Sequence, residues 1–161
     1  MATRVATTPA RRFDSAEQEA FLSLWRTYDR LRDLEDKLFA TFDLTPQQYN
    51  VLRVLRAAHP EPLPTLLVAE RLVSRAPDIT RMLDKLEQRG LVRRERPARD
   101  RRTVLIGITD DGLALIEKIA EPLRECHARQ LGHLTRAEIK SLSALLKAAR
   151  APHESEDSPW A

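Results

Sequence analysis

The chain is expected to be a mainly α protein in the winged helix-turn-helix order ααααββαα, with one short β-hairpin. Three observations carry that expectation. Leu, Ala, Arg and Glu dominate a 161-residue chain with only four glycines and few aromatics, a balance that favours helix over sheet. Thr65 to Gly90 reads as two short helices separated by a turn. Directly after it, residues 89 to 102 hold seven arginines against two acids, between the apolar runs Leu91-Val92 and Val104 to Ile108. That pattern predicts a hairpin with a cationic tip.

Residues 1–14 and 151–161 lack periodicity and are rich in Thr, Pro, Ser and charged residues, so both ends are expected to be flexible. From Ser15 to Phe42, Phe21, Leu24, Trp25, Tyr28, Leu31, Leu34, Leu38 and Phe42 recur at three-and-four spacing, one face of a helix of about seven turns. Thr45-Pro46 opens a second helix with a cap followed by proline at the first helical position, and Val51, Leu52, Val54 and Leu55 form its apolar side. The prolines between His59 and Pro64 end it.

A third helix is expected over Thr65 to Leu72, packing through Leu66, Leu67 and Ala69. The turn around Ser74 to Ala76 leads to a fourth helix that ends at Gly90. On it Ile79, Met82, Leu83 and Leu86 share one side, leaving Pro77, Arg81, Asp84 and Gln88 outward with Lys85 on the flank. The hairpin strands are read as Leu91 to Arg96 and Arg102 to Ile108. Thr109 caps a fifth helix with Asp110 and Asp111 in its first turn and a stripe of Leu113, Leu115, Ile116, Ile119 and Leu123; Pro122 should kink it. Gly132 stops that helix, and Thr135 with Glu138 forms a capping box for a sixth bearing Ile139, Leu142, Leu145 and Leu146.

Charge narrows the function. The chain carries +3 overall, yet residues 89 to 102 alone carry +5, so the rest is slightly acidic. A local cationic finger suits phosphate attraction and counterion release on nucleic acid. The polar N-terminus lacks the apolar core of a signal peptide, and no apolar run approaches the roughly 20 residues of a membrane span, so a cytoplasmic location and no membrane partner are expected. One cysteine, Cys126, excludes an internal disulfide and offers no paired metal or redox spacing. There is no nucleophile-base arrangement, glycine-rich phosphate loop or paired His-Glu motif, so neither catalysis nor a cofactor is expected.

Several blocks closely resemble the MarR family of winged-helix transcription regulators. They are Leu44-Thr45-Pro46-Gln47, the run from Asp78 to Val92, Asp100-Arg101-Arg102, and Ile108-Thr109-Asp110-Asp111-Gly112. With the flanking helices the resemblance covers about residues 15 to 150. It implies an obligate homodimer whose first, fifth and sixth helices interlock, holding two winged helices apart over a pseudo-palindromic operator, usually as a repressor. The division it implies is an arm at 1–14, a dimerisation helix at 15–44, a DNA-binding region at 45–108, dimerisation helices at 109–150 and a tail at 151–161. Physically, a winged helix over about 45–108 is too small to cover the apolar stripes of the outer helices, which exposed would invite aggregation.

The fourth helix fits the major groove, with Arg75, Asp78, Thr80 and Arg81 nearest the bases and Lys85 on its flank. Arg81 is suited equally to guanine and to phosphate; Asp78 is suited to a base contact, to a helix-start role or to repelling wrong sites. Pro77 departs from the Ser or Thr often found there in the family. In the wing, Asp100-x-Arg102 matches the family's Asp-x-Arg signature, in which the arginine enters the minor groove and the aspartate holds the loop. Arg99 and Arg101 are expected at phosphates. Arg93, Arg94 and Arg96 alternate along a strand and are read as solvated, with Arg94→Ala expected to be neutral.

The family often binds aromatic or phenolic acids between the dimer helices and the winged helix. Trp25, Tyr28 and Arg32 on the first helix, with Tyr49 and Arg53 on the second, offer aromatic surface and cations near that cleft, suited to an organic anion. Aromatics at helical spacing equally suit core or dimer packing. The alternatives are a winged-helix module that binds protein, which would not need seven arginines, and a redox- or metal-responsive regulator built on Cys126, His127 and His133. No metal site is expected.

Overall fold

The computed structural model describes residues 13–98, 100, 102–156 and 158–160. Along them run α1 (Ala16–Ala40), α2 (Pro46–Ala58), β1 (Leu63–Pro64), α3 (Thr65–Arg71), α4 (Ile79–Gln88), β2 (Val92–Glu95), β3 (Leu105–Ile108), α5 (Asp110–Leu131), α6 (Arg136–Arg150) and a 3-10 turn, Ala151–His153. The expected order is present with two additions, the two-residue strand β1 and the 3-10 turn after α6. The chain divides into two compact units, residues 1–33 and 34–161; α1 begins in the first and ends in the second.

Local chemistry sets the helix starts. Thr45 and Gln48 form a reciprocal capping box at α2, and Thr135 and Glu138 form another at α6. Thr109 Oγ1 accepts from the Gly112 amide and donates to the Gly90 carbonyl at 2.6 Å, so one side chain caps α5 and ties it to the end of the preceding turn. Gly90 sits at φ +70, the left-handed conformation that ends α4 without the cost of a Cβ. Pro122 lies inside a continuous α5.

β3 is the central strand of a three-stranded antiparallel sheet in the order β1-β3-β2, with Leu63 opposite Ile106 and Val92 opposite Ile108. Two residues ending in proline carry too little periodicity to be read as a strand, which is why β1 escaped the sequence pattern. Thr65 extends the join: its amide and hydroxyl both donate to the Val104 carbonyl.

The core gathers Phe39, Val51, Leu52, Leu55, Val68, Leu83, Leu86, Ile106, Ile108, Ile116 and Ile119, from the end of α1 through the first half of α5. On α3 the buried residue is Val68, while Leu66 is 78% exposed. The expected packing through Leu66 is thus corrected, because a helix of two turns defines its face poorly by spacing alone. α4 begins at Ile79 and not at Pro77. Phe21, Leu24, Trp25 and Tyr28 on α1, and Leu145 on α6, are exposed, and α6 buries no residue.

Beyond α6, residues 151–156 and 158–160 make a few local contacts. Arg150 Nε donates to the Trp160 carbonyl at 3.2 Å, Ser158 Oγ donates to Glu154 at 2.6 Å, and the Arg53 guanidinium lies 5.9 Å from the centre of the Trp160 ring. An indole face beneath a cation gives this acidic tail an anchor that its composition does not suggest. The expected N-terminal arm lies almost wholly outside the described residues.

Candidate nucleic-acid interface

α4 turns Leu83 and Leu86 into the core, with Ile79 and Met82 packed against it. That orientation leaves Thr80, Arg81 and Lys85 exposed on the opposite side, with Arg75 and Asp78 exposed in the turn that leads in. The turn is held by Asn50, whose side-chain oxygen accepts from the Val73 amide at 3.0 Å. Asp78 occupies the N-cap position of α4, but its side chain makes no capping bond. Arg75, Arg81 and Lys85 have no ion pair among the described residues, so their charges are available to a ligand.

The tip of the hairpin is organised by Asp100. Its carboxylate accepts from the Arg102 amide at 3.0 Å and from the Thr103 hydroxyl at 2.6 Å, while its own amide donates to the Pro97 carbonyl. The Thr103 hydroxyl, then the Arg102 amide, hold this carboxyl below the usual carboxylate range. Arg102 is exposed, and its side chain has no partner among the described residues. Arg99 and Arg101 lie outside the described residues.

The seven arginines are not equivalent. Arg94, read as solvated, is a brace between β2 and α4: its guanidinium meets Asp84 at 2.6 Å and Glu87 at 2.6 Å and donates to the Thr80 carbonyl at 3.3 Å. Its amide also donates to Glu87, and the side chain is only 21% exposed. The sequence did contain a signal for this. Asp84 and Glu87 stand three apart on one helix face and make a receptor for a cation, although spacing does not say which arginine fills it. Arg89 is likewise inward in role, donating to the carbonyls of Phe42 and Asp43 just beyond α1. Arg93 pairs with Glu95 at 2.7 Å and lies over Gly107. Among the described wing residues, Arg96 and Arg102 keep uncommitted charge.

The residues expected at an effector cleft fall in two groups. Trp25, Tyr28 and Arg32 belong to the 1–33 unit, where Trp25 meets Phe21 edge to face at 6.2 Å between ring centres. Tyr49 and Arg53 belong to the other unit. Tyr49 stacks on Phe39 at 4.7 Å, and Arg53 covers Trp160.

Cys126 is buried, and burial, then the nearby Glu35 carboxylate, push its thiol above the ordinary range. His127 Nε2 lies 3.2 Å from Glu35. Among the described residues no group of three or more His, Cys, Asp or Glu is placed to hold a metal. No helix among them is long and apolar enough to cross a membrane.

Comparison with known proteins agrees with this geometry. The MarR family model matches residues 42–103, the span from the approach to α2 through the wing. The HTH-type transcriptional regulator PecS of Dickeya dadantii (strain 3937) is 33% identical over 112 residues, covering 69% of this chain and 68% of that protein. A MarR transcription factor from Planctomyces limnophilus is 52% identical, with a TM-score of 0.68 over 85% of this chain and 99% of its own. A MarR family regulator from Streptomyces coelicolor, solved in complex with DNA, is 25% identical with a TM-score of 0.75 over 95% and 99% of the two chains. Matched to PecS at 33% identity and to the Planctomyces limnophilus factor at 52%, each along two thirds or more of its length, the chain belongs to the MarR family of DNA-binding transcription regulators.

Proposed function

We propose that the protein is a cytoplasmic repressor that binds a pseudo-palindromic operator as a homodimer and is released by a small aromatic or phenolic acid. The single observation that carries DNA contact is Arg102, exposed and without a side-chain partner among the described residues, on a turn that Asp100 clasps. A preorganised guanidinium suits the negative potential of a narrow minor groove. On α4 and its leading turn, Arg75, Thr80, Arg81 and Lys85 would reach bases or phosphates in the major groove, and Asp78, without a cap to make, would select against wrong sites. Arg99 and Arg101 would add phosphate contacts.

The homodimer reading rests on apolar surface. Phe21, Trp25 and Tyr28 are 61%, 63% and 60% exposed, and Leu145 of α6 is 69% exposed, surface that a second copy would cover. The residues the effector reading offers to an organic anion are Trp25, Tyr28 and Arg32 in one unit and Tyr49 and Arg53 in the other.

Fluorescence anisotropy with the DNA flanking the protein's own coding region, together with sedimentation of the free protein, tests this. A dimer that binds a duplex with two half-sites is expected. Arg102→Ala should weaken binding strongly and flatten its dependence on salt by about one counterion per wing, while leaving the dimer intact. Operator affinity unchanged by that substitution at every salt concentration would falsify the wing's role.

A further inference from the structure

The three residues that carry the chain from α4 into β2, Arg89, Gly90 and Leu91, are gripped from two sides. Their amides donate to the carbonyls of Lys85, Glu87 and Leu86 in turn, which fixes the turn on the end of α4. On one side the Arg89 guanidinium reaches the α1–α2 turn, where its two terminal nitrogens donate to the carbonyls of Asp43 at 2.5 Å and Phe42 at 3.2 Å. That turn is itself fixed. The amides of Thr41, Phe42 and Asp43 donate to the carbonyls of Leu38, Phe39 and Ala40, which end α1, and Asp43 sits at φ +51. A cation placed there faces the negative end of the α1 dipole, and Arg89 is also the C-cap residue of α4. On the other side Thr109 donates through its hydroxyl to the Gly90 carbonyl at 2.6 Å and through its amide to the Leu91 carbonyl at 3.1 Å. Gly112, in the first turn of α5, packs so closely on the Leu91 carbonyl that a Cβ has no room. All of these contacts lie within the 34–161 unit.

The chain enters the winged helix where α1 gives way to α2 and leaves it where β3 gives way to α5. Residues 89–91 grip both points from the end of α4. We infer that Arg89 is a positioning residue for DNA recognition, locking α4 to the α1–α2 turn and thereby setting the separation of half-sites that a dimer accepts. The inference rests on the homodimeric regulator reading. Held by the Thr109 contacts and the bare peptide chain alone, the winged helix can pivot about the start of α5, and the distance between two such heads varies. The second grip removes that hinge. Arg89 belongs to the cationic stretch, whose simplest use is attraction of phosphate, yet both of its terminal nitrogens are turned to carbonyls. A strut and a phosphate contact differ in their dependence on salt and on half-site spacing.

The test uses the full-length protein. Footprinting on the DNA flanking its coding region locates the two half-sites. Anisotropy then reads affinity for that duplex, for duplexes with one base pair added or removed between the half-sites, and for a duplex with one half-site scrambled. One base pair changes the separation by about 3.4 Å and the relative rotation by about 34°. Because the altered duplex must deform to fit, the wild type should prefer the natural spacing by about tenfold or more. Arg89→Ala should shrink that preference by about three- to tenfold, while leaving the salt dependence and the affinity for the scrambled duplex unchanged. Arg89→Lys, a point charge in place of a two-pronged guanidinium, should fall between the two. An equal loss at every spacing marks a merely stabilising contact, and a salt dependence shallower by about one counterion per protomer marks a phosphate contact. Either overturns the inference, as does a spacing preference absent from the wild type or unchanged in Arg89→Ala. A wild type that sediments as a monomer or protects no paired half-sites sinks the regulator reading as well, and that failure shows before any substitution is made.

Discussion

Arg94→Ala is the perturbation on which the sequence pattern and the structure disagree most sharply. As a solvated strand residue Arg94 would be replaceable without consequence. As a brace it holds β2 against α4 through Asp84 and Glu87, each at 2.6 Å. Those carboxylates are 49% and 40% exposed, so solvent screens the pairs and each is worth about 0.5–1 kcal/mol. Together the contacts amount to about 1–2 kcal/mol, which for a chain of this size lowers Tm by roughly 2–8 °C. Thermal unfolding at matched protein concentration measures it, since a dimer's Tm depends on concentration. The substitution also bares two carboxylates beside the proposed DNA-facing helix, so operator affinity should fall by about fivefold, roughly 1 kcal/mol. Arg94→Lys restores the charge without the fork that meets two acids, and should recover affinity more fully than stability. Tm and operator affinity both unchanged in Arg94→Ala would refute the brace.

Three further outcomes follow from the geometry. Because hydrogen bonds from Thr103 and Arg102 hold the Asp100 carboxyl low, its clasp is complete above the ordinary aspartate value of about 3.9 and is lost only as pH falls through the depressed value. Protection of the Arg102 amide from exchange should persist from neutral pH to below about pH 4, and Asp100→Ala should remove it at every pH; fading with a midpoint near pH 6 would contradict the clasp. Gly112→Ala places a Cβ against the Leu91 carbonyl oxygen and 2.7 Å from Ile108 Cγ1, so urea unfolding should show a loss of about 1–3 kcal/mol, and wild-type stability would mean that α5 does not approach the sheet so closely. Cys126, buried and with its thiol raised, should react with an aromatic disulfide reagent at pH 7.5 about a hundredfold more slowly in the native protein than in urea; equal rates would reopen a redox role.

What could be read along the chain was local. Thr45 with Gln48, Thr109, and Thr135 with Glu138 each cap a helix through atoms within three residues, so their chemistry is complete in a short string. The apolar faces of α2 and α4 were legible for the same reason, since more than two turns of periodicity define a side. α3, with two turns, gave Leu66 where Val68 is buried. β1 was illegible because two residues pair only by virtue of the strand opposite them, more than forty positions away. The contact of Trp160 with Arg53 was illegible for the same reason, since more than a hundred positions separate the two.

The sequence by itself determined the order of helices and hairpin, the caps, and the concentration of positive charge in one ribbon, because periodicity, capping chemistry and charge are properties of neighbours along a chain. Only the tertiary structure decided which of those charges remain available. Arg89 is spent on main-chain carbonyls beyond α1 and Arg94 on two acids of α4, while Arg102 is left open. Whether a guanidinium meets a carboxylate is settled by a few ångströms between elements, and formal charge is the same in either case.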